Sequence, residues 1–391
     1  MSHFRLLKTD PATGARLGEL NTAHGVVATP VFLPVGSQAT VKTLTPDELK
    51  DAGFNMVLAN TYHLYLRPGI EVIEKLGGLH KFMAWDRAIL TDSGGYQVFS
   101  LAGLNRVSDE GVTFRSHLDG SQHFISPELA IEFQERLGAD IIMVLDECPS
   151  HLSRQADIEE ATARTHLWAE RCLKTERRKD QALYAIVQGG LDGRLRRRSA
   201  EHLASLDFPG YAIGGLSLGE PKAATWQMLS EAVAALPAEK PRYLMGVGSP
   251  EDIIEGILRG CDVFDCALPT RVARNGAFFT RSGRFNISNA GYRLIEEPLE
   301  KDCGCYACTR FSAAYIHHLY RARELLALRL LSIHNLSFVG GLVEKARRTI
   351  RDGQFGAFAI AFLAGYRPSD EAARLSQKEK WLNSRRQKEL P

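Results

Sequence analysis

The stretch Ala88-Ile89-Leu90-Thr91-Asp92-Ser93-Gly94-Gly95-Tyr96-Gln97 is a short apolar run that stops on a carboxylate and turns through two glycines. A run of this length without polar alternation reads as a strand buried on both faces, as in a parallel sheet. The same pattern recurs in Val31–Gly36, Phe54–Asn60, Ile141–Asp146, Leu183–Gln188, Tyr211–Gly215, Arg242–Gly246 and Cys261–Asp265. Between these runs lie stretches of helical periodicity: Thr45–Ala52, Pro127–Leu137, Ile158–Thr175, Arg194–Leu206, Ala223–Ala235 and Pro250–Arg259. Thr45, Ser126 and Ser249 each precede a proline at the first helical position, which is a helix-start signal. Alternating strands and helices predict parallel βαβ units. A doubly wound sheet and a barrel both fit, and eight units over about 240 residues favour an irregular (β/α)8 TIM barrel.

Three segments fall outside the repeat and set the expected domains. Residues 1–30, with a turn at Asp10-Pro11-Ala12-Thr13-Gly14, predict an antiparallel cap ahead of a barrel over 31–269. Residues 98–126, with Asp119-Gly120 between Val112–Leu118 and Gln122–Ile125, predict a hairpin inserted after the third strand. Residues 270–351 hold a cysteine cluster and a long helical stretch, an expected inserted metal-binding subdomain. Residues 352–391 read as a helical tail, polar and rich in Lys and Arg from Ser369 onward.

Of 391 residues, 45% are hydrophobic and 24% charged, a balance that excludes an intrinsically disordered chain. Lys and Arg number 48 against 46 Asp and Glu, a net charge of +2, which excludes a uniformly basic coat protein but not a local basic face. No apolar run reaches the length of a membrane span, so none is expected. Met1–Asp10 has no apolar signal core, and a cytoplasmic location is the expectation.

The seven cysteines are unevenly placed, with three in Cys303-Gly304-Cys305-Tyr306-Ala307-Cys308. An odd total with one tight cluster argues for a metal rather than disulfides. Zinc takes four soft or borderline ligands in a tetrahedron, and three thiolates leave one place. His334, expected just beyond a helical run Ala313–Leu331, is the favoured fourth ligand, with His317 and His318 as competitors inside that run. Four protein ligands make such a zinc ion structural.

In a (β/α)8 barrel, chemistry gathers at the C-terminal ends of the strands. Asp92, Asp146 and Asp265 each end an apolar run, so the fold would bring three carboxylates to one mouth, beside Gln188, Gly215 and Gly246. A single such Asp is as readily a helix N-cap; three at one mouth suggest chemistry. Two carboxylates facing an anomeric carbon suit glycosyl transfer with retention, one attacking C1′ and the other moving protons. Spacing leaves open which does which. The turn after Asp92 gives a planar ligand close approach to backbone, with Tyr96 as a stacking face.

From Asp265 to Arg351 there are 14 Lys or Arg and 7 Asp or Glu, a local charge of +7 against −5 for the remainder. A basic region beside an acidic pocket fits a polyanion that is gripped by one part and acted on by another. The run Arg194–Arg198, with its arginines spread round a helix, is expected to be solvated surface.

The assembled residues resemble the tRNA-guanine transglycosylases of the bacterial queuine tRNA-ribosyltransferase type. The resemblance covers nearly the whole chain. It is carried by Asn60-Thr61-Tyr62-His63-Leu64, Thr91–Gln97, Leu145-Asp146-Glu147-Cys148, Ile186–Gly190, Gly214-Gly215-Leu216 and Phe264–Arg271, followed by the cysteine cluster and a later His. It implies exchange of the wobble guanine of tRNAs with G-U-N anticodons (Asp, Asn, His and Tyr) for 7-aminomethyl-7-deazaguanine, through a ribosyl-enzyme ester and without ATP. It implies Asp265 as the nucleophile and Asp92 as the general acid/base. Ser93, Gly94, Gly95, Asp146, Gln188, Gly215 and Leu216 would surround the base, with Tyr96 and Met245 as its stacking faces. RNA would pass along Gly246, Val247, Gly248, Ser249, Pro250, Glu251 and Asp252 and along Thr270, Arg271, Val272, Ala273 and Arg274. It implies Cys303, Cys305, Cys308 and His334 as ligands of one Zn2+, and a homodimer; the aromatic stretch Phe311–Tyr320 reads either as packing on the metal knuckle or as the seam of that dimer. Cys148 and Leu218 fit the bacterial pocket pattern; many bacterial members carry valine at the latter position, which implies a slightly tighter wall here. Two other readings fit less well: a silent partner subunit would lack the two acids, and a retaining glycosidase has no use for the +7 segment.

Overall fold

The computed structural model describes residues 3–101 and 105–368. Eight parallel strands form one sheet: Val31–Pro34, Met56–Asn60, Ala88–Asp92, Ile141–Met143, Ala182–Val187, Gly210–Ile213, Arg242–Leu244 and Val263–Cys266. From the second strand on, each pairs with the next in sequence, and the eighth pairs with the first. The ring closes between the first and second through a Val35–Leu58 bridge and a 2.7 Å bond from the Gly36 N–H to the Leu58 carbonyl. This is a (β/α)8 barrel. Its strands are buried on both faces, which is why they read as unbroken apolar runs.

Several expected strands run past the observed ends. Residues 144–146, 214–215 and 245–246 lie beyond the ladder. One further bond continues it in each case, as from the Gly214 N–H to the Val187 carbonyl, before the chain curls out to line the mouth. The helix starts behave unequally. Thr45 makes a full capping box with Glu48, and Ser126 accepts from the Leu129 N–H. The Ser249 hydroxyl instead donates to Asp252 at 2.6 Å.

The N-terminal cap has three antiparallel strands, Phe4–Thr9, Arg16–Thr22 and Gly25–Thr29, rather than the two either side of the expected turn. It closes the end of the barrel where strands begin: buried Arg16 pairs with buried Asp262, just ahead of the eighth strand. The insertion after the third strand is also three-stranded: Asn105–Ser108, Gly111–Arg115 and Gln122–Ile125.

Beyond the eighth strand come the helix Leu268–Arg274, a hairpin (Ala277–Thr280, Gly283–Asn286), and helices Tyr306–Arg310, Ala313–Arg321 and Leu325–Arg351. The expected continuous run Ala313–Leu331 is broken at residues 322–324, where Arg323 turns through φ +63°. His334 therefore lies inside a 27-residue helix, not beyond a helix end. That helix packs on the first barrel strand and so also serves as the last barrel helix. By length and composition alone it is apolar enough to cross a bilayer, but 61% of its apolar window is buried inside the protein. A short helix, Phe355–Gly365, follows. The expected polar tail from Ser369 lies outside the described residues.

Candidate active site

Asp92 is the last residue of the third strand and lies in register with Asn60 on the second. Asn60 Nδ2 donates to its Oδ2 at 2.5 Å, Gln97 Nε2 donates to the same oxygen at 2.8 Å, and the Thr61 N–H donates to Oδ1 at 2.8 Å. Burial outweighs these donors and pushes the Asp92 carboxyl up to about 6, and the Asp265 charge adds to the rise.

Asp265 lies within the eighth strand and is also buried. Its Oδ1 accepts from the Tyr243 hydroxyl at 2.6 Å and from the Gly246 N–H at 2.8 Å. Burial raises its carboxyl pKa against these two donors. Asp146, past the fourth strand, accepts from Ser93 Oγ at 3.2 Å and Gln188 Nε2 at 2.8 Å. Burial pushes it up to about 6. The three acids expected at one mouth are thus all at strand ends and buried.

The glycines after Asp92 have a steric cause. A Cβ on Gly95 would sit 2.6 Å from the Asp146 carbonyl oxygen, and Gly94 turns through φ +82°. Tyr96 is 45% exposed, Met245 is half-buried and Leu216 is buried. The Ser217, Leu218 and Gly219 N–H groups all donate to the Glu220 carboxylate, which shapes the turn after Leu216.

Arg196 corrects the surface reading of Arg194–Arg198. Arg194, Arg197 and Arg198 are exposed, but Arg196 is fully buried and donates to the carbonyls of Gly190, Gly214 and Gly215. Its signal was hidden by three charged neighbours. Of Asn60, Gln97 and Tyr243, which hold the acids, only Asn60 ends an apolar run; Gln97 lies on the helix Gly95–Leu101 and Tyr243 inside the seventh strand, where nothing local marks them.

Of the stretches expected to meet RNA, Arg271 and Gly246 are exposed, and Ser249 and Arg274 are half-buried. Glu251 and Asp252 both hold Lys222. Val247, Gly248, Pro250, Thr270, Val272 and Ala273 are buried and shape the backbone beneath. Arg274 Nη1 is buried and has no hydrogen-bond partner among the described residues.

The Sγ atoms of Cys303, Cys305 and Cys308 lie 3.8, 3.7 and 3.3 Å from His334 Nδ1. A tetrahedral zinc with ordinary Zn–S and Zn–N bonds would space such atoms about 3.6 Å apart. His334 Nε2 donates to the Phe279 carbonyl at 2.7 Å, which leaves the Nδ1 lone pair facing the thiols. The cluster can hold a metal ion. Next to it, the Asn335 side chain ties the same helix to Pro269, Ala277 and Phe279.

A second cluster has a different character. His24 Nδ1 and His80 Nε2 approach the Asp140 carboxylate at 2.8 and 3.3 Å, but their rings stack at 3.5 Å and 15°. Stacked imidazoles send their lone pairs side by side instead of to one point. Asp140 also accepts the His24 and Ile89 N–H groups. The cluster fastens the cap to the barrel.

A family model described as queuine tRNA-ribosyltransferase matches residues 10–368. A protein of that name from Dehalococcoides mccartyi (strain BAV1) is 58% identical over 382 residues, covering 98% of this chain and 97% of its own. One from Pelotomaculum thermopropionicum is 57% identical over 364 residues, 93% of this chain and 98% of its own. One from Moorella thermoacetica is 54% identical over 363 residues, 93% and 97%.

Proposed function

The chain belongs to the queuine tRNA-ribosyltransferase family, the tRNA-guanine transglycosylases, and on that premise we propose that it replaces the wobble guanine of tRNAs with G-U-N anticodons by 7-aminomethyl-7-deazaguanine, in two displacements at one anomeric carbon. The observation that carries this reading is the pair of buried carboxylates Asp92 and Asp265 at the ends of barrel strands, each held by directed hydrogen-bond donors.

In the first displacement Asp265 attacks C1′. The C1′–O bond forms as the C1′–N9 bond breaks, guanine leaves with the bonding pair, and protonated Asp92 supplies its proton. In the second, the Asp92 carboxylate takes the N9 proton of the incoming base. N9 attacks C1′, the ester bond breaks and Asp265 regains its charge. Two inversions give retention, and no external energy source enters the balance. A carboxyl with a pKa of about 6 samples both protonation states near neutrality, as a group that gives and then takes a proton requires.

The base would lie against Asp146, Gln188, Gly215 and Leu216, with Ser93, Gly94 and Gly95 forming the close wall and Tyr96 and Met245 the flat faces. Exposed Arg271 and half-buried Arg274 suit phosphates beside the wobble nucleotide. The ligand at the Cys3His cluster is Zn2+, a structural cross-link between the cysteine turn and the helix that bears His334. The chain acts as a homodimer through the surface around Tyr306 and Tyr315, exposed aromatic side chains that both pack on Phe311 beside that cluster. A monomer in light scattering at micromolar concentration would remove the dimer.

The test of the reaction is trapping. Enzyme incubated with tRNA-Tyr alone and denatured before any incoming base is added should give a covalent RNA–protein band on a denaturing gel, absent in Asp265→Asn; the deazaguanine base added before denaturation should discharge the band. Mass analysis of the product tRNA identifies the incoming base. Robust labelled-guanine incorporation by Asp265→Asn would take Asp265 out of the nucleophile's role.

A further inference from the structure

Arg196 lies on the helix Gly193–Ser205, after the fifth barrel strand, and is fully buried. Its Nε donates to the Gly190 carbonyl at 2.8 Å, Nη1 to Gly214 at 2.9 Å and Nη2 to Gly215 at 3.4 Å. One planar fork therefore clamps the ends of the fifth and sixth strands together. Burying a guanidinium is costly unless its donors are taken up. Burial draws its pKa down only to about 10, so it stays charged at neutral pH.

The loops it holds cannot fix their own peptide planes. Gly189, Gly190 and Gly215 have φ of +142°, +56° and +67°, and glycine rotates freely among such states. Side chains cannot be added to stiffen them. A Cβ on Gly215 would lie 2.5 Å from Gln188 Oε1, and one on Gly214 would lie 2.7 Å from Gln188 Nε2.

In a planar trans peptide the N–H points opposite to the C=O. With the Gly214 carbonyl held by Arg196, the Gly215 N–H is turned away from Arg196. With the Gly215 carbonyl held, so is the Leu216 N–H. A guanine-type base offers a 6-oxo acceptor that complements such a donor, whereas a 6-amino purine offers a donor that opposes it.

We propose that Arg196 is a positioning residue for base selection: by anchoring the Gly214 and Gly215 carbonyls it presents the Gly215 N–H to the 6-oxo group, and so favours 6-oxo over 6-amino bases. The proposal rests on the base site described under Proposed function.

Arg196→Lys keeps the charge, but one ammonium cannot span three carbonyls. In this variant the KM for guanine should rise about tenfold and the KM for tRNA stay within about twofold. The preference for guanine over 2,6-diaminopurine as competing bases should fall by about tenfold, because a freed Gly214–Gly215 peptide can turn its carbonyl to a 6-amino group. Such ratios do not depend on the folded fraction of a preparation. An unchanged preference overturns the proposal, since a purely packing role would leave it alone. If the variant does not fold, hydrogen exchange on wild-type enzyme decides. The Gly215 amide should slow when guanine saturates the site, and an unaltered rate overturns the proposal. Asp146→Asn is run in parallel. If it leaves the KM for guanine unchanged, the base-site reading fails, and this proposal with it. If Asp146→Asn raises that KM and Arg196→Lys does not, only the role of Arg196 fails.

Discussion

The Tyr243 hydroxyl donates to Asp265 Oδ1 at 2.6 Å, and the Gly246 N–H takes the same oxygen at 2.8 Å. Tyr243 lies within the seventh strand, next to the eighth in the barrel, and Gly246 just past its end. The two oxygens of one carboxylate are thereby made unequal, with Oδ1 pinned and Oδ2 given the freer lone pairs. On the proposed reaction Oδ2 forms the ester. Oδ1 becomes its carbonyl oxygen, and the two donors are in place to stabilise the carboxylate as it departs in the second displacement.

Tyr243→Phe removes one of those donors without changing the ring. A hydrogen bond to a charged group is worth roughly 1.5–3 kcal/mol, so kcat should fall by about one to two orders of magnitude. The KM for tRNA should hardly move, because the lost contact is to the reacting carboxylate. Steady-state kinetics with labelled guanine measures both; a rise in the KM for tRNA with kcat intact would contradict the assignment.

Asp146 gives a pH signature. Burial first, against bonds from Gln188 and Ser93, sets its pKa at about 6. Below that value it is protonated and loses both its charge and an acceptor for a base N–H. The KM for guanine should therefore climb as pH falls through 6, approaching tenfold per pH unit, and level off above it. Asp146→Asn should show a raised KM with this dependence removed. A KM flat from pH 5 to pH 8 in the wild type would show that ionised Asp146 does not hold the base.

Gly95→Ala tests the close wall. The new Cβ would meet the Asp146 carbonyl oxygen at 2.6 Å and its Oδ1 at 3.1 Å, and backbone there cannot retreat cheaply. Overpacking of this kind costs about 1–3 kcal/mol. Weaker guanine binding and an earlier melt are both expected, read by calorimetry and thermal unfolding. An alanine variant that binds guanine as tightly as wild type would mean the base does not approach this wall.

Metal content provides a fourth check. Purified enzyme should carry one zinc per chain by elemental analysis. Cys308→Ser should carry far less and melt at lower temperature, because three remaining ligands leave a strained, incomplete site. Binding of tRNA should weaken with it, since Asn335 couples the His334 helix to the Pro269 carbonyl within the arginine-bearing helix Leu268–Arg274. Full stability in zinc-free Cys308→Ser protein would show that the cluster is not a structural cross-link.

Much of this arrangement was readable along the chain because it is written locally. A carboxylate at the end of an apolar run announces a strand end wherever it occurs, which is how Asp92, Asp146 and Asp265 came to be grouped. The cysteine cluster is equally local. The readings that needed correction depended on distance. Arg196 looked like its exposed neighbours because its partners, Gly214 and Gly215, are 18 and 19 residues away. His334 is expected beyond a helix end, yet it reaches the thiols from the middle of a helix, since Cys303 and Cys305 come to it from a turn and Cys308 from the short helix Tyr306–Arg310. The third strand of the cap, Gly25–Thr29, and the first of the insertion, Asn105–Ser108, are only five and four residues long, too short for a pattern of their own, and they are fixed by pairing with a neighbouring strand.

By itself, the sequence determined the alternation of buried strands and helices and favoured a barrel over a doubly wound sheet, since period and burial pattern are properties of consecutive residues. It determined too which side chains carry acid and which can bind metal. Only the tertiary structure decided which oxygen of Asp265 is pinned, that Asp92 sits in a field raised by Asp265, and that an arginine inside a basic run is the clamp beneath the glycine loops. Those outcomes depend on the low-dielectric interior and on atoms brought within hydrogen-bond reach by barrel closure, and neither exists until the chain has folded.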